Sequence, residues 1–379
     1  MEALGTTSLG ERSPWQDLPS ELLGLVLQRV PSHAGRVRLR AVCRPWRDGA
    51  RLQPPLPPLL PLLLQRDGTF LSLPDGTVHR IPVPDGVSCL MSTGTGSMLF
   101  LGHGDGRCSL LNPFCRDTTT PQYVDADCFG FQIPSGDPIV HNVRKVVIMS
   151  DHIITIQKTF EGYNCALSIR RRGQSTTTVD VRWMPHVAAY SFDAELFQEK
   201  LHIILSTHVG TIDLYVMDLI KDDNVSLQCI LSTPRDNLFL PFGHIVDRYL
   251  VSSGDQLLLV KQDICKLYNK LMSAQFEVFE ATDLSNGHAQ WRKVDTLMGR
   301  ALFLSAGCSM SLPASDRYAG AREDCIYFLC ELGCYGIRKE NLSFGIYDLR
   351  KGTLLSLPSE TMVAQQGPQI ASWLFPSNT

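Results

Sequence analysis

The chain has 379 residues, more than one small domain needs, and its 35 Lys and Arg against 38 Asp and Glu leave a net charge of −3. That balance excludes a general nucleic-acid or anionic-membrane binder, which would carry a clear basic excess. With 44% apolar and 19% charged residues, the chain can bury a sizeable core and does not read as intrinsically disordered.

The start, Met1-Glu2-Ala3-Leu4-Gly5, lacks a basic segment followed by an apolar one, so the expectation is a chain that is not secreted. Between Trp15 and Leu52 the apolar positions follow a helical period. Leu18, Leu22, Leu23, Val26, Leu27 and Val30 are spaced 0, 4, 5, 8, 9 and 12, one broad helix face. Asp17 or Ser20 can cap that helix, with Pro19 tolerated in its first turn. Pro31-Ser32-His33 interrupts the pattern, and Leu39, Val42, Cys43 and Trp46 resume it at 0, 3, 4 and 7. The expectation is a helical hairpin or three-helix unit over residues 13–52, too short to bury much surface alone and therefore in need of a partner. Arg36, Arg38, Arg40, Arg44, Arg47 and Arg51 read as the solvated face of its second helix, which could also steer an acidic partner.

Gln53-Pro-Pro-Leu-Pro-Pro-Leu-Leu-Pro61 cannot continue a helix and reads as a stiff linker over 53–64. The run Pro54–Leu64 contains five prolines and is too short to cross a bilayer.

From residue 65 to 379 short β-like runs alternate with turn residues: Ser97–Leu101, Cys108–Leu111, Val146–Ile156, Leu201–Leu205, Leu257–Lys261, Cys325–Leu329 and Phe344–Leu349. Asp263–Ser273 is the best candidate for a helix. A strand ending in Asp-Leu recurs with its Asp at 218, 283 and 348, both gaps being 65 residues. An apolar strand precedes and another follows each copy. Such antiparallel units have a face they cannot cover alone, and stacking them radially buries it, which is the logic of a β-propeller of six or seven blades. A two-sheet sandwich with insertions is the alternative.

The segment Trp15-Gln-Asp-Leu-Pro-Ser-Glu-Leu-Leu-Gly-Leu-Val-Leu-Gln-Arg-Val30, followed by Val37-Arg-Leu-Arg-Ala-Val-Cys-Arg-Pro-Trp-Arg47, resembles an F-box. Two motifs at the right separation make the match specific. The resemblance implies docking to a Skp-type adaptor and, through it, to the cullin and RING subunits of an SCF-type ubiquitin ligase. The residues expected to carry that contact are Leu18, Pro19, Leu22, Leu23, Val26, Val30, Leu39, Val42, Cys43 and Trp46, with Trp46 the anchor by size. The body is similar, more loosely, to the plant KIB-type F-box family, an F-box preceding a β-propeller. The carrying residues are Trp291–Leu304, Cys308, Ser309, the terminal Ser372-Trp-Leu-Phe-Pro376 and the turn Leu111-Asn-Pro-Phe114, whose Cys-Arg continuation departs from the commoner form.

No chemistry-bearing motif stands against that reading. The 12 cysteines include no C-x-x-C pair, and Cys325, Cys330 and Cys334 read as core packing, not zinc ligands. Gly102-His-Gly-Asp-Gly106 is followed by a strand, not a helix, and is expected to be a hairpin turn without phosphate binding. Arg170-Arg-Arg172 reads as a charged loop, and the sequons at Asn224 and Asn341 as chance. No nucleophile elbow, His-Glu-x-x-His helix or Walker loop occurs. The expectation is thus a non-catalytic substrate receptor of the cytoplasm or nucleus, without cofactor or metal, whose propeller binds an unidentified protein target. The second hypothesis is a propeller that inhibits a partner, for example a kinase, by occlusion; the third is a propeller enzyme of sugar or quinone type.

Overall fold

The structure, a computed structural model, describes residues 14–30, 32–53, 60–65, 67–73, 76–81, 83–103, 108–113, 122–124, 143–149, 152–158, 165–171, 181–182, 189–207, 211–219, 225–233, 244–267, 270–284, 288–314, 321–330, 343–355 and 370–375. Cys334, Asn224 and Asn341 lie outside these residues.

The head is a 3-10 turn, Pro14–Asp17, and three helices: α1 (Ser20–Arg29), α2 (His33–Ala41) and α3 (Arg44–Arg51). Pro19, not Asp17 or Ser20, occupies the cap of α1, and no side chain caps it there. Ser32 caps α2, its Oγ accepting from the Gly35 amide at 3.1 Å. The second helical stretch of the sequence breaks into α2 and α3 at Val42-Cys43, because Pro45 can enter only in the first turn of a new helix.

Among its described residues the body is all β, and the propeller reading holds. Its strands form five four-stranded sheets and one five-stranded sheet. β1 (Leu62–Gln65), β2 (Thr69–Ser72) and β3 (Val78–Arg80) belong to the first, and β4 (Val87–Ser92), β5 (Leu99–His103), β6 (Cys108–Leu111) and β7 (Gln122–Val124) form the second. β8 (Val143–Met149), β9 (His152–Lys158), β10 (Cys165–Arg171) and β11 (Val181–Arg182) make the third. β12 (Ala189–Phe197), β13 (Lys200–Thr207), β14 (Ile212–Leu219) and β15 (Val225–Thr233) make the fourth. β16 (His244–Ser253), β17 (Gln256–Leu267), β18 (Lys270–Thr282) and β19 (Gln290–Val294) make the fifth. β20 (Arg300–Leu304), β21 (Met310–Pro313), β22 (Cys325–Cys330), β23 (Ser343–Asp348) and β24 (Thr353–Leu355) make the sixth, and β25 (Ile370–Leu374) returns to the first, pairing antiparallel with β1.

One edge strand of each sheet, β4, β8, β12, β16, β21 and β25, lines the axis. β8 packs on β12, β12 on β16, β16 on β21, and β25 on β4. The last strand of the chain thus closes a ring opened by the first, which leaves no face of the end sheets uncovered. Each sheet is sandwiched between two neighbours, so the strand beside its innermost one is buried on both faces. That is why Leu257–Val260 and Ala301–Leu304 read as continuous apolar runs without alternation, and why Leu201–Leu205 is buried throughout, His202 included.

The recurrent Asp marks the strand next to the outer edge: Asp218 lies in β14, Asp283 directly follows β18, and Asp348 ends β23. The sixth sheet departs from a simple meander, since β20 inserts between β21 and β22 and runs parallel to β22. Buried Asp324 secures that insertion, taking the Thr296 hydroxyl and the Leu297 amide and pairing with Arg350. Its own amide donates to Arg300 O at 2.9 Å.

Several expectations are corrected. The propeller begins at Leu62, inside the stretch read as linker, with Leu62, Leu63 and Leu64 all buried. Asp263–Ser273 is not a helix but the end of the β17–β18 hairpin, pairing Asp263 with Gln275 and Leu267 with Lys270. Val146–Ile156 is two strands, β8 and β9, paired antiparallel. Arg170 and Arg171 belong to β10, not a loop. The strands on either side of the Gly102–Gly106 segment, β5 and β6, pair antiparallel with Gly102 opposite Cys108, while residues 104–106 lie outside the described residues.

Candidate protein-docking site

The α1 doublets Leu22-Leu23 and Val26-Leu27 place apolar side chains on two sides of one helix. Leu23 and Leu27, at 2% and 0% exposure, pack with Ala50 and, at the margin, Leu18, Leu39 and Trp46. Gly49 lets α3 approach α1 closely, since a Cβ there would stand 3.1 Å from Leu23 Cδ2. Gln53 completes the closure, its Nε2 donating to Ser20 O at 2.7 Å and Gly49 O at 3.0 Å. This residue was read as the first of the linker; it is the clasp of the head.

The other side of α1 faces out. Leu22, Leu25 and Val26 are exposed, with Trp15, Val37, Val42 and Leu52 exposed on the neighbouring segments. Of nine large hydrophobic residues exposed among the described residues, seven lie between Trp15 and Leu52, so the apolar exposure is concentrated on the head. The ten expected contact residues therefore divide. Pro19, Leu22, Val26 and Val42 are exposed, Leu18, Val30, Leu39, Cys43 and Trp46 are half-buried, and Leu23 is buried. Trp46 belongs to the packing of the head, its Nε1 donating to Trp15 O at 2.7 Å. The Trp with the open ring is Trp15, at 67% exposure. Sequence reasoning passed over Trp15, Leu25, Val37 and Leu52; the paired apolar doublets in α1 were the available signal that one helix serves two surfaces.

The arginines are also not one solvated face. Arg36 is buried and its Nε donates to Val30 O at 3.1 Å; burial, and then the charge of Arg40, lower its pKa. Arg29 Nη1 donates to Leu25 O and Arg47 Nε to Arg40 O. These cations satisfy carbonyls in the last turns of α1 and α2, where the helix dipole favours positive charge.

At the propeller axis the inner segments meet in a second polar assembly. Lys145 on β8, 1% exposed, donates from Nζ to Asp193 Oδ1 at 2.9 Å and Glu195 Oε2 at 3.3 Å, both on β12. Asp193 also accepts from the Ala194 amide at 2.8 Å and, across to β16, the Leu250 amide at 2.9 Å. Burial alone would lower the Lys145 pKa, but Asp193 and Glu195 outweigh it and the ammonium is held charged. Cys308, fully buried, donates to Gly94 O at 3.4 Å, and burial pushes its thiol up to about 12. Ser92 on β4 gives its hydroxyl to Ser372 Oγ on β25 at 2.7 Å. Trp373 Nε1 donates to Leu304 O at 2.9 Å, tying the two segments that carried the resemblance of the body.

The cysteines expected to be packing are partly described. Cys325 is buried in the core among Phe303, Tyr327 and Trp373, and Cys330 ends the same strand. Cys43, Cys229, Cys265, Cys308 and Cys325 carry free thiols. Among the described residues no helix is long and apolar enough to cross a membrane.

A helical unit with an outward apolar face, joined to a ring of sheets, is the architecture of an F-box protein. The F-box domain model matches residues 15–55 and the KIB1-4 β-propeller model residues 70–348, so the chain belongs to the F-box proteins that carry a KIB1-4 β-propeller. It is 22% identical over 343 residues to the F-box protein At2g26160 of Arabidopsis thaliana, covering 84% of this chain and 96% of that one. The WD40 domain of SCAP from fission yeast is similar at TM-score 0.35 and 8% identity, covering 72% of this chain and 51% of that chain. The β-propeller domain of Cps50 (Swd1) from Myceliophteria thermophila is similar at TM-score 0.33 and 11% identity, covering 73% of this chain and 89% of that chain.

Proposed function

We propose that the chain is the substrate-recognition subunit of an SCF-type cullin–RING ubiquitin ligase. The head docks a Skp-type adaptor and the propeller holds a protein target, in the cytoplasm or nucleus. The observation that carries this reading is the outward apolar face of the head, Trp15, Leu22, Leu25, Val26 and Val42, on a unit too small to need it for its own core. Exposed apolar side chains on a helix and its flanks fit a groove in a partner. Pro19 and Leu18 frame the entry to that face, Val30 and Cys43 its far margin, and Leu23, Leu39 and Trp46 hold it rigid from behind.

The propeller's part is support and presentation. Six sheets with β25 paired to β1 support a six-bladed ring. The inner strands turn back tightly into their neighbours, through Gln198-Glu199 between β12 and β13 and Gly254-Asp255 between β16 and β17. The chain from the head enters β1 at that same end of the ring, because β1 runs antiparallel to β25. The end of the ring opposite these turns is the one assigned to the target. No residue is required to perform chemistry: holding a target lysine near a charged conjugating enzyme raises its effective concentration.

The test is capture of a purified Skp-type adaptor by the full-length chain, beside a Leu22→Ser/Val26→Ser/Val42→Ser variant whose propeller is verified as folded by circular dichroism. Capture lost only in the variant supports the receptor. An intact chain that captures no adaptor overturns it.

A further inference from the structure

The axial cluster has an imbalance of charge. One ammonium, Lys145, faces two carboxylates, the buried Asp193 and the largely buried Glu195, whose side chains are 6% and 13% exposed. The donors are not shared equally. Asp193 receives Lys145, the Ala194 amide and the Leu250 amide. Glu195 receives Lys145 at the longer distance of 3.3 Å. A buried carboxylate with fewer donors beside another carboxylate is the one that takes up a proton.

Among the described residues, Lys145 is the one cation paired with either carboxylate. Cys308, from the turn after β20, is a neutral thiol engaged with Gly94 O. Arg144 on β8 is spent on Asp247 of β16 at 2.9 Å and lies over the Phe192 ring. Arg248 of β16 donates to Asp247 O. The segments carrying these contacts are innermost strands of three successive sheets, and β25 and β4 are joined to them through Gly94, whose amide donates to Val146 O at 2.6 Å.

We propose that Glu195 is a proton-operated lock on the propeller axis: closing the ring takes up a proton at Glu195, and losing it loosens the contact between β8, β12 and β16. With the proton on, the cluster is a neutral Lys145–Asp193 pair with a carboxylic acid beside it. With the proton off, it holds a net negative charge among buried strands, and the strands relax to hydrate it. Burial first, and Asp193 next, push the Glu195 carboxyl up to about 7 against the opposing pull of Lys145. The sign follows from linkage. The folded pKa lies above the ordinary carboxylate value of about 4.3, so this group's contribution is fully present below that value and is lost as pH rises to about 7. The lock is closed in mild acid and released toward neutrality and above.

The experiment is thermal unfolding of the full chain between pH 5 and 8, native against Glu195→Gln, which mimics the protonated acid. The native midpoint should fall relative to the variant by a few degrees across that window. Parallel curves overturn the proposal. Should Glu195→Gln fail to fold, infrared spectroscopy of the native chain decides. A protonated carboxylic acid C=O band, present in mildly acidic heavy water and gone in mildly alkaline heavy water with the fold intact, supports the lock. Absence of the band from the folded chain in mild acid overturns it.

Discussion

The head and the propeller solve opposite problems with the same kinds of side chain. The head turns apolar residues outward, Trp15 at 67% and Leu22 at 47% exposure, and keeps a core of little more than Leu23, Leu27 and Ala50. The propeller turns charge inward, burying Lys145, Asp193 and Asp324, and packs strands such as β13, β17 and β20 on both faces. A small unit that exposes what it could bury is shaped by a partner. A large ring that buries what it could expose is shaped by its own closure, since a charge inside it must find fixed partners from several sheets. Substitutions should therefore separate cleanly: those in the ring act on stability, those on the head's outer face act on association.

The largest effect is expected at ring closure. Trp373, fully buried, packs edge-on against Phe303 and Phe344 and donates to Leu304 O. Trp373→Ala should cost about 3–5 kcal/mol, the range for deleting a buried aromatic ring, read as a lower denaturant midpoint at unchanged slope. Lys145→Met should come next. Removing one partner from a buried ion cluster typically costs about 3–5 kcal/mol because it strands the other charges, but here protonation of Glu195 offsets part of it, so the loss should be smaller in mild acid than at pH 8. A loss independent of pH would break the contrast between a ring tuned by charge and one held by packing alone.

Gln53 sits at the border between the two regions and sharpens the comparison. Gln53→Ala removes two hydrogen bonds that clasp α1 to α3, and each bond contributes about 0.5–1.5 kcal/mol. The head should lose protection of its helical amides in hydrogen exchange while the strands of the ring keep theirs. Loss spreading into β1 would show that the two regions unfold as one unit.

How much of this was legible depends on whether the signal was local. The strands were readable because sheets packed on both sides demand continuous apolar runs, and Leu257–Val260 or Cys325–Leu329 supply them. The repeated Asp at 218, 283 and 348 was readable because it ends equivalent strands. Asp263–Ser273 misled because Ile264, Leu267 and Leu271 fit a helical spacing. The alternation that decides for a strand becomes clear only beyond it, with Ala274, Phe276 and Val278 buried and Ser273, Gln275 and Glu277 exposed. The axial cluster was not readable at all. Residues 145, 193, 195 and 308 have no common motif, and only the meeting of inner strands brings them together. In the head, composition identified the apolar residues, but which side of α1 each occupies needed α3 to be placed.

The smallest effect on stability should carry the largest effect on binding, and one pair of residues on α1 tests it. Leu23 and Val26 are three positions apart in one helix, the first buried against Ala50 and the second exposed. Leu23→Ala leaves a cavity beside Gly49 and should destabilise the head by about 2–5 kcal/mol, weakening adaptor capture only because the head melts. Val26→Ala removes a β-branched residue from an exposed helix position, and alanine is the better helix former by about half a kcal/mol. The head should then be as stable as before or slightly more so, yet bind adaptor less tightly, since an apolar contact is gone and nothing else has moved. Lowered affinity with unreduced helix stability distinguishes a docking residue from a packing one. If Val26→Ala lowers stability and leaves affinity alone, the outward face of α1 is not the docking face, and the contrast between the two regions fails at its simplest point.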